Sequence, residues 1–302
     1  MPVAQPTEVP PAGVSVPAPA PSPVARSSPT PEAGSAYLAV ARGESPTAMV
    51  RAVLEALGGI ERFVKPGNNV IIKPNICTAY YTYEYATTTN PEVVAALVSL
   101  CLGAGAGRVR VMDYPFGGTP EQCYAKSGIA DAVKAAGGQM EVMSMMKFQS
   151  TPIPRGKSIT QWKVYRDALE ADVLINVPIA KTHNLTNLTL GMKNLMGLVQ
   201  DREALHNGID QRLADLTSLI VPTLTVVDAV RILVAGGPTG GNLNNVRLAK
   251  TVIASHDIIA ADAYAATLFS VPADRVAGIR AGANMGLGKM DLKSVKVEEI
   301  TV

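Results

Sequence analysis

Residues 171–200, "ADVLINVPIAKTHNLTNLTLGMKNLMGLVQ", join a buried strand to a group of polar side chains in one continuous passage. The run "VLINV" has the length and the Val and Ile content of a strand that is covered on both faces. Lys181, His183, Lys193 and several asparagines then follow among residues that still resemble protein core. These charged groups either lie on a solvated face or point together into a site.

Strand and helix patterns alternate along the chain on both sides of this passage. The patterns typical of strands include "AYLAVARG", "NNVIIKPNI", "RVRVMDYP" and "LTVVDAVRIL"; those typical of helices include "SPTAMVRAVLEALGGI" and "NPEVVAALVSLCLGAG". Strands rich in Val and Ile that alternate with amphipathic helices indicate parallel strands joined by crossovers. We therefore predict an α/β fold with a mainly parallel sheet and helices on both faces, a Rossmann-like three-layer architecture.

Some segments allow a more local prediction. Residues 186–199 have apolar side chains at helical spacing, which predicts a helix, and residues 163–171 are typical of a short helix. A small lobe is expected around residues 140–170. Gly191 and Gly197 each disfavour a helix by roughly 1 kcal/mol, so we expect both to permit a compensating close contact.

The first 36 residues differ in composition from the rest of the chain. They hold ten of the 22 prolines and almost no charge. Because proline lacks a backbone donor and fixes φ, this segment is predicted to be a Pro/Ala-rich tail or linker. We expect a single α/β domain over residues 37–302. No apolar run reaches the roughly 18 residues of a membrane span, and no intact signal peptide is visible.

Overall charge and cysteine content exclude several classes of function. The net charge is +2, and basic residues do not run together, so nucleic acid is not an expected partner. The chain has three cysteines, Cys77, Cys101 and Cys123, and no CxxC pair. This spacing argues against a disulfide framework, and an iron–sulfur cluster held by this chain alone is not expected because such clusters take four thiolates.

Polar side chains recur where the predicted strands end. In an open α/β sheet, ligands bind outside the carboxyl ends of the strands, so we expect one shared site at that edge. The residues at or just beyond the predicted strand ends are Lys73, Asn75, Asp113, Asn176, Lys181, His183, Asp228, Ser255, His256 and Asp257.

The residue types at this edge favour a small anionic ligand. Lys73 precedes Pro74, which keeps its backbone extended and directs its ammonium group over the sheet edge; the alternative is a surface lysine. Lys73 and Lys181 would hold the anion. His183, kept neutral by a nearby cation, and His206 would act as acid and base in proton transfer.

Further side chains of the same region have more than one interpretation. Lys193 and Asn194 either lie on a solvated helix face or point into the site and bind the ligand. Asp113 and Asp228 either orient the histidines or bind a divalent metal together with them. The glycine-rich residues 235–242 form either a lid or a plain turn.

Several passages, in this order, resemble the bacterial and archaeal family called domain of unknown function 362: "VIIKPNIC", "TNPEVVAAL", "VMDYPF", "ADVLINVPIAKTHNLTNLTLGMKNLMGLV", "TVVDAVRILVAGGPTGG" and "DIIAADAYAATLF". The resemblance covers residues 37–302. It implies no assigned activity. Relatives are often labelled iron–sulfur proteins because some carry an added ferredoxin-like domain. The resemblance makes these residues the site candidates: Lys73, Asn75, Asp113, Lys181, His183, Lys193, Asn194, His206 and Asp228.

The resemblance also bears on location. Many relatives carry a twin-arginine export signal followed by a Pro/Ala-rich stretch similar to residues 1–36. It therefore implies an extracytoplasmic protein if an export signal was removed, and a cytoplasmic one otherwise.

Two functions are compatible with the sequence. The first is an enzyme that acts on a small anionic molecule by proton transfer. The second is a non-catalytic accessory or structural subunit of a larger redox or cell-surface assembly, with residues 1–36 as the segment that binds a protein partner.

Overall fold

The structure, a computed structural model, describes Met1 and residues 34–302. The predicted tail, and with it the predicted contact to a protein partner, therefore lies almost wholly outside the described residues. Within the described part, no helix combines the length and the apolar character that a membrane crossing requires.

Strands and helices alternate through residues 34–302. The strands are β1 Leu38–Arg42, β2 Asn69–Pro74, β3 Arg108–Val111, β4 Gln139–Met140, β5 Phe148–Pro152, β6 Gln161–Tyr165, β7 Val173–Val177, β8 Ile179–His183, β9 Asn187–Thr189, β10 Leu224–Leu233, β11 Val246–Ser255 and β12 Val297–Thr301. The helices are α1 Pro46–Ala56, α2 Pro91–Gly103, α3 Pro120–Lys126, α4 Ile129–Ala135, α5 Arg166–Glu170, α6 Gly191–Asn194, α7 Arg202–Leu205, α8 Ile209–Leu219, α9 Ile258–Thr267 and α10 Ala277–Asn284.

One large sheet organises these elements. Eight of its strands follow the order β12-β1-β11-β10-β7-β2-β3-β4. The two others, β8 and β9, lie outside this order: β8 pairs with β10, and β9 pairs with β8. β11 runs antiparallel to β1 and β10, and β9 runs antiparallel to β8. The other neighbours are parallel. The predicted α/β fold with a mainly parallel sheet is therefore confirmed.

Each central strand contributes side chains to two separate cores, one on each face of the sheet. On β2, Ile71 belongs to one core, while Val70 and Ile72 belong to the other. This alternation follows from the two-residue period of a strand. Helices α1, α2, α3 and α4 pack on one face, and α5, α8, α9 and α10 pack on the other.

A separate antiparallel hairpin of β5 and β6 packs on the second of these faces. The predicted helix over residues 163–171 is correct only from Arg166 onward, because the residues before it belong to β6. Val164 and Tyr165 are buried and pair with Gln149 and Phe148. Branched and aromatic side chains suit such a half-covered strand, and this pairing overrides the helical pattern.

The predicted helix over residues 186–199 is correct only from Gly191 onward, because Asn187–Thr189 form β9. β9 pairs with β8 in a tight hairpin, in which Thr182 lies opposite Leu188 and His183 opposite Asn187. Helix then begins only at Gly191, and it continues as a 3-10 turn over Leu195–Leu198. The spacing of apolar residues could not show this because the hairpin depends on backbone pairing with β8.

The prediction that the strand before Ser255 ends at the site is also wrong. β11 is antiparallel to β10, and its last residue, Ser255, pairs with Thr225 near the start of β10. His256 and Asp257 therefore follow at the opposite edge of the sheet. There the Asp257 carboxylate accepts hydrogen bonds from the first backbone N–H groups of α9.

A buried carboxylate fixes the start of α6. Asp262 on α9 accepts hydrogen bonds from the backbone nitrogens of Gly191 at 2.6 Å and Met192 at 3.0 Å. Close approach is possible because Gly191 has no side chain: a Cβ there would lie 2.7 Å from Asp262 Oδ1. This contact is the compensation that the glycine at this position was expected to permit.

Replacing Asp262 by alanine should destabilise the fold. Two buried N–H groups would lose their acceptor, which we expect to lower the free energy of unfolding by about 3 kcal/mol. Urea denaturation followed by circular dichroism measures this. Glu55→Ala, which removes an exposed acid on α1, is the control and should change stability by less than about 0.5 kcal/mol. Equal stability of the two variants would contradict the assigned contact.

Candidate functional site

The carboxyl ends of β2, β3 and β8 open into a cavity of about 590 Å³. α6 and the segment around α7 close its other side, and Pro238 of the glycine-rich loop reaches its edge. Most of the predicted site residues line this one cavity: Lys73, Asn75, Asp113, Lys181, His183, Lys193, Asn194 and His206. The rule that ligands bind at the carboxyl ends of strands locates the cavity correctly for these residues.

A buried ion pair joins the ends of β2 and β3. Lys73 Nζ lies 2.9 Å from Asp113 Oδ1, and the two side chains are 1% and 3% exposed. The Asp113 carboxylate also accepts hydrogen bonds from the backbone nitrogens of Ile76 at 2.5 Å and Tyr114 at 2.8 Å. Burial is the largest influence on Lys73 and lowers its pKa, while Asp113 acts in the opposite direction.

Asparagine side chains connect this ion pair to the rest of the site. Asn194 Oδ1 accepts hydrogen bonds from Lys73 Nζ at 2.8 Å and Asn75 Nδ2 at 3.0 Å. Asn194 Nδ2 donates to Asn176 Oδ1 at 2.8 Å, and Asn176 Nδ2 donates to the carbonyl of Gly191 at 3.0 Å. Asn176 does not line the cavity. It holds Asn194 and the start of α6 from behind.

Lys181 is a buried cation whose contacts are neutral groups. Its side chain is fully buried, and Nζ donates to Asn75 Oδ1 at 2.9 Å and to the carbonyl of Thr87 at 2.7 Å. Cys77 Sγ lies 3.8 Å from the same nitrogen. Among residues 34–302, no carboxylate lies within ion-pair distance of Lys181. Burial lowers the pKa of Lys181.

Lys193 lines the same cavity with still fewer partners. Its Nζ donates to Met196 Sδ at 3.1 Å, and a thioether is a weak acceptor. Burial, with smaller contributions from the cations Lys181 and Arg202, lowers the pKa of Lys193 to about 8. The lysine therefore points into the site, as one of the two sequence interpretations proposed.

The two histidines line this cavity and differ in their exposure. His183 Nδ1 accepts a hydrogen bond from the backbone nitrogen of Leu185 at 3.0 Å, so the neutral ring carries its proton on Nε2. Burial, together with the charges of Lys193 and Lys181, lowers the pKa of His183 to about 4. His206 is exposed at the rim, and burial and Lys193 lower its pKa.

Asp228 has a different environment from the other candidates. It is buried but does not line the cavity, and its carboxylate accepts hydrogen bonds from the backbone nitrogens of Asn90 at 2.7 Å and Val230 at 3.0 Å. Burial raises the pKa of Asp228 to about 6. Its contacts fix the start of α2 and the irregularity within β10, where the pairing with β11 shifts between Ala229 and Arg231.

The structure does not bring Asp113 and Asp228 together in one ligand set. The Asp113 oxygens are occupied by Lys73 and two backbone N–H groups. Within the part of the chain that the structure describes, no three His, Cys, Asp or Glu side chains converge as a metal ion would require. The geometry at these carboxylates gives the metal interpretation no support.

Several cavity residues were missed by the sequence analysis: Cys77, Tyr114, Phe116, Thr189, Met196, Gly197 and Arg202. Arg202 lies across the rim, where it donates to the carbonyl of Tyr114 at 2.6 Å with its guanidinium 4.6 Å from the Tyr114 ring centroid. Gly197 did carry a signal, because a glycine within an apolar segment indicates a close contact. A Cβ there would lie 1.9 Å from Asp113 Oδ1 and 2.6 Å from Lys73 Nζ.

Fold and cavity together define an α/β protein with a cationic pocket at the carboxyl ends of its strands. The chain belongs to the family described as Domain of unknown function (DUF362), which it matches over residues 70–267. It is 30% identical over 225 residues to the thylakoid-associated protein sll1697 of Synechocystis, a match that covers 71% of this chain and 67% of the relative.

Solved structures show more distant similarity. The lactate racemase apoprotein of Thermoanaerobacterium thermosaccharolyticum aligns with a TM-score of 0.43 and 14% identity, over 72% of this chain and 53% of that protein. A Thermotoga maritima protein solved in a structural genomics programme aligns with a TM-score of 0.38 and 13% identity, over 61% and 51%. This chain thus spans about half the length of each of them.

Replacing Gly197 by alanine should disrupt the ion pair between Lys73 and Asp113. The new methyl group would occupy the position of the carboxylate, and breaking a buried pair lowers stability by about 3 kcal/mol or more. Urea denaturation measures the loss. Gly103→Ala is the matched control, since a Cβ at Gly103 meets nothing within 4 Å. A Gly197→Ala variant as stable as Gly103→Ala would contradict the described packing.

Proposed function

We propose that the protein binds a small anionic molecule in this cavity and moves a proton to or from it. The ammonium group of Lys193 carries this proposal. It lines the cavity, and its hydrogen-bond partner in the described part of the chain is one thioether sulfur. An ammonium group has three donors, so Lys193 has N–H groups available for a ligand.

The charges around the cavity favour an anion. Lys73, Lys181, Lys193 and Arg202 line it, whereas the lining acids are Asp113 and Glu203. Asp113 is already paired with Lys73, and Glu203 is exposed. The remaining positive charge lies in a partly enclosed space with apolar walls, which concentrates the field and attracts negative ligands.

The apolar part of the cavity is at its mouth. Phe116 and Leu185 line it and are 55% and 53% exposed. A ligand that fits both surfaces places a carboxylate or phosphate group among the lysines and a less polar group towards the opening. We assign the anionic group to the lysines because pairing there offsets the unfavourable burial of their charges.

The neighbouring groups are suited to proton transfer. Neutral His183 lines the cavity and carries its proton on Nε2, so it can donate a hydrogen bond to a ligand oxygen on which negative charge develops. The pKa of Lys193 is about 8, which is close enough to neutral pH for its amine to give or accept a proton. His206 at the rim is a second proton carrier. In this arrangement Lys193 contacts the anion, Lys181 adds its positive charge from behind, and Lys73 mainly supports the site through Asp113.

Loss of Lys193 should weaken anion binding. We expect Lys193→Met to bind inorganic phosphate and oxalate at least about 30-fold more weakly than wild type, because losing one buried charged contact costs roughly 2–5 kcal/mol. Isothermal titration calorimetry in chloride-free buffer measures the affinities. Lys134→Met, an exposed lysine on α4, is the matched control. Equal affinity in both variants would refute the proposed site.

The affinity for anions should also depend on pH. Above pH 8, the bound state requires Lys193 to take up a proton, so oxalate affinity should fall by up to about tenfold for each pH unit. Oxalate is a suitable probe because its carboxyl groups stay ionised over this range. Lys193→Met should show a flatter profile. A wild-type profile identical to that of the variant would show that another group controls binding.

A further inference from the structure

Cys77 is a cavity residue that the proposed proton transfer does not use. Of the three cysteines, Cys77 is partly exposed and lines the cavity, while Cys101 and Cys123 are 0% exposed. Burial raises the pKa of Cys101 to about 12 and that of Cys123 to about 11. The Cys77 carbonyl accepts a hydrogen bond from the backbone nitrogen of Phe116 at 2.8 Å, which helps to fix the position of the residue.

The sulfur of Cys77 lies among ammonium groups. Lys181 Nζ donates to it across 3.8 Å, and the thiol donates to Asn75 Oδ1 at 3.3 Å. Negative charge on this sulfur would also stabilise the charged forms of Lys73 and Lys193. Reactive cysteines typically occupy such electropositive and partly exposed positions, whereas buried structural cysteines are inert.

A second group of the cavity is available for a hydrogen bond to a ligand. Thr189 is 4% exposed and lines the cavity, and its Oγ1 has no hydrogen-bond partner among the residues that the structure describes. A buried hydroxyl without a partner is unfavourable, so a ligand atom that bonds to it would stabilise the protein. The cavity therefore offers a polar contact that is independent of the charges.

We propose that Cys77 is a nucleophile that adds to the carbonyl carbon of an anionic aldehyde or 2-oxo acid held by the lysines. The sulfur–carbon bond forms as the carbon–oxygen π bond breaks. The carbonyl oxygen takes one proton from Lys181, and Lys181 regains one from the thiol. The product is a hemithioacetal or hemithioketal, in which all atoms are retained and nothing is oxidised or reduced.

The proposal rests on the proposed anion site, because the lysines must hold the ligand beside the sulfur. Lys181 contacts the sulfur directly and carries no carboxylate partner in the described part of the chain. It can therefore stabilise negative charge first on the sulfur and then on the carbonyl oxygen. The anion and the nucleophile make separate contacts, so separate measurements can test them.

Alkylation of the full chain with iodoacetate and iodoacetamide tests the nucleophile. The first reagent is anionic and the second neutral, and peptide mass spectrometry gives the rate at each cysteine. We expect iodoacetate to label Cys77 at least about tenfold faster than iodoacetamide, because the positive field concentrates anions at the sulfur. Cys101 and Cys123 serve as internal controls and should react only after unfolding.

Variants and a carbonyl probe complete the test. Lys181→Met should abolish the preference for iodoacetate, whereas Lys134→Met should retain it. Glyoxylate, an anionic aldehyde, should slow the labelling of Cys77 by iodoacetamide, and dilution should restore the rate. If Lys181→Met does not fold, the preference for iodoacetate and the protection by glyoxylate in the wild-type protein still test whether Cys77 is the nucleophile.

The outcomes separate this proposal from the anion site. The assignment of Cys77 as a nucleophile would be refuted by any of three results in the native protein. These are no labelling of Cys77, no preference for iodoacetate, and no protection by glyoxylate. If oxalate still binds in that case, the anion site stands alone. If oxalate does not bind but iodoacetamide labelling still depends on Lys181, the anion site and the addition to an anionic carbonyl compound both fail, and the result supports only a reactive sulfur.

Discussion

The ion pair between Lys73 and Asp113 is the contact on which the site depends. It joins the ends of two neighbouring parallel strands, and it occupies the space that a side chain at residue 197 would need. The same carboxylate binds the backbone at Ile76 and Tyr114, so it also fixes both loops that leave the strands. Removing one member of such a pair leaves an uncompensated buried charge, which is strongly destabilising. The position of the cavity therefore follows from a contact that is not itself available to a ligand.

The burial of two further lysines at the cavity lowers the stability of the ligand-free protein. Lys181 and Lys193 are desolvated without a carboxylate partner among the described residues, and their lowered pKa values reflect this unfavourable environment. Binding of an anion would offset the desolvation and stabilise the folded state by mass action. Local rules of good packing are often broken where a protein binds or reacts. Lys181 and Lys193 both lie at the carboxyl-end edge of the sheet, outside the two apolar cores that cover its faces.

The sequence predicted the parts of this structure that depend on short-range pattern. Alternating strands and helices indicated the fold, and the polar residues at the carboxyl ends of β2, β3 and β8 indicated most of the cavity. The errors in strands and helices come from backbone pairing between strands. The β9 hairpin replaced the start of an expected helix because β8 pairs with it, and β11 ends at the opposite edge because it is antiparallel. Asp228 follows the same pattern as Asp113, but its carboxylate binds backbone at the start of α2. Cys77 and Arg202 had no distinguishing spacing.

Hydrogen-bond accounting distinguishes three lysines that the sequence presents as equivalent. Lys73 has a carboxylate and an amide as acceptors, which makes it part of the structure. Lys181 is surrounded by an amide, a carbonyl and a sulfur, so its bonds are mostly satisfied but its charge is not balanced. Lys193 has a thioether as its acceptor, which leaves both charge and N–H groups available. An incoming anion would therefore contact Lys193 first and benefit from the charge of Lys181 behind it. Lys181 is hydrogen-bonded to the sulfur of Cys77. An anion held in this way would therefore lie near a nucleophilic sulfur as well as a positive charge.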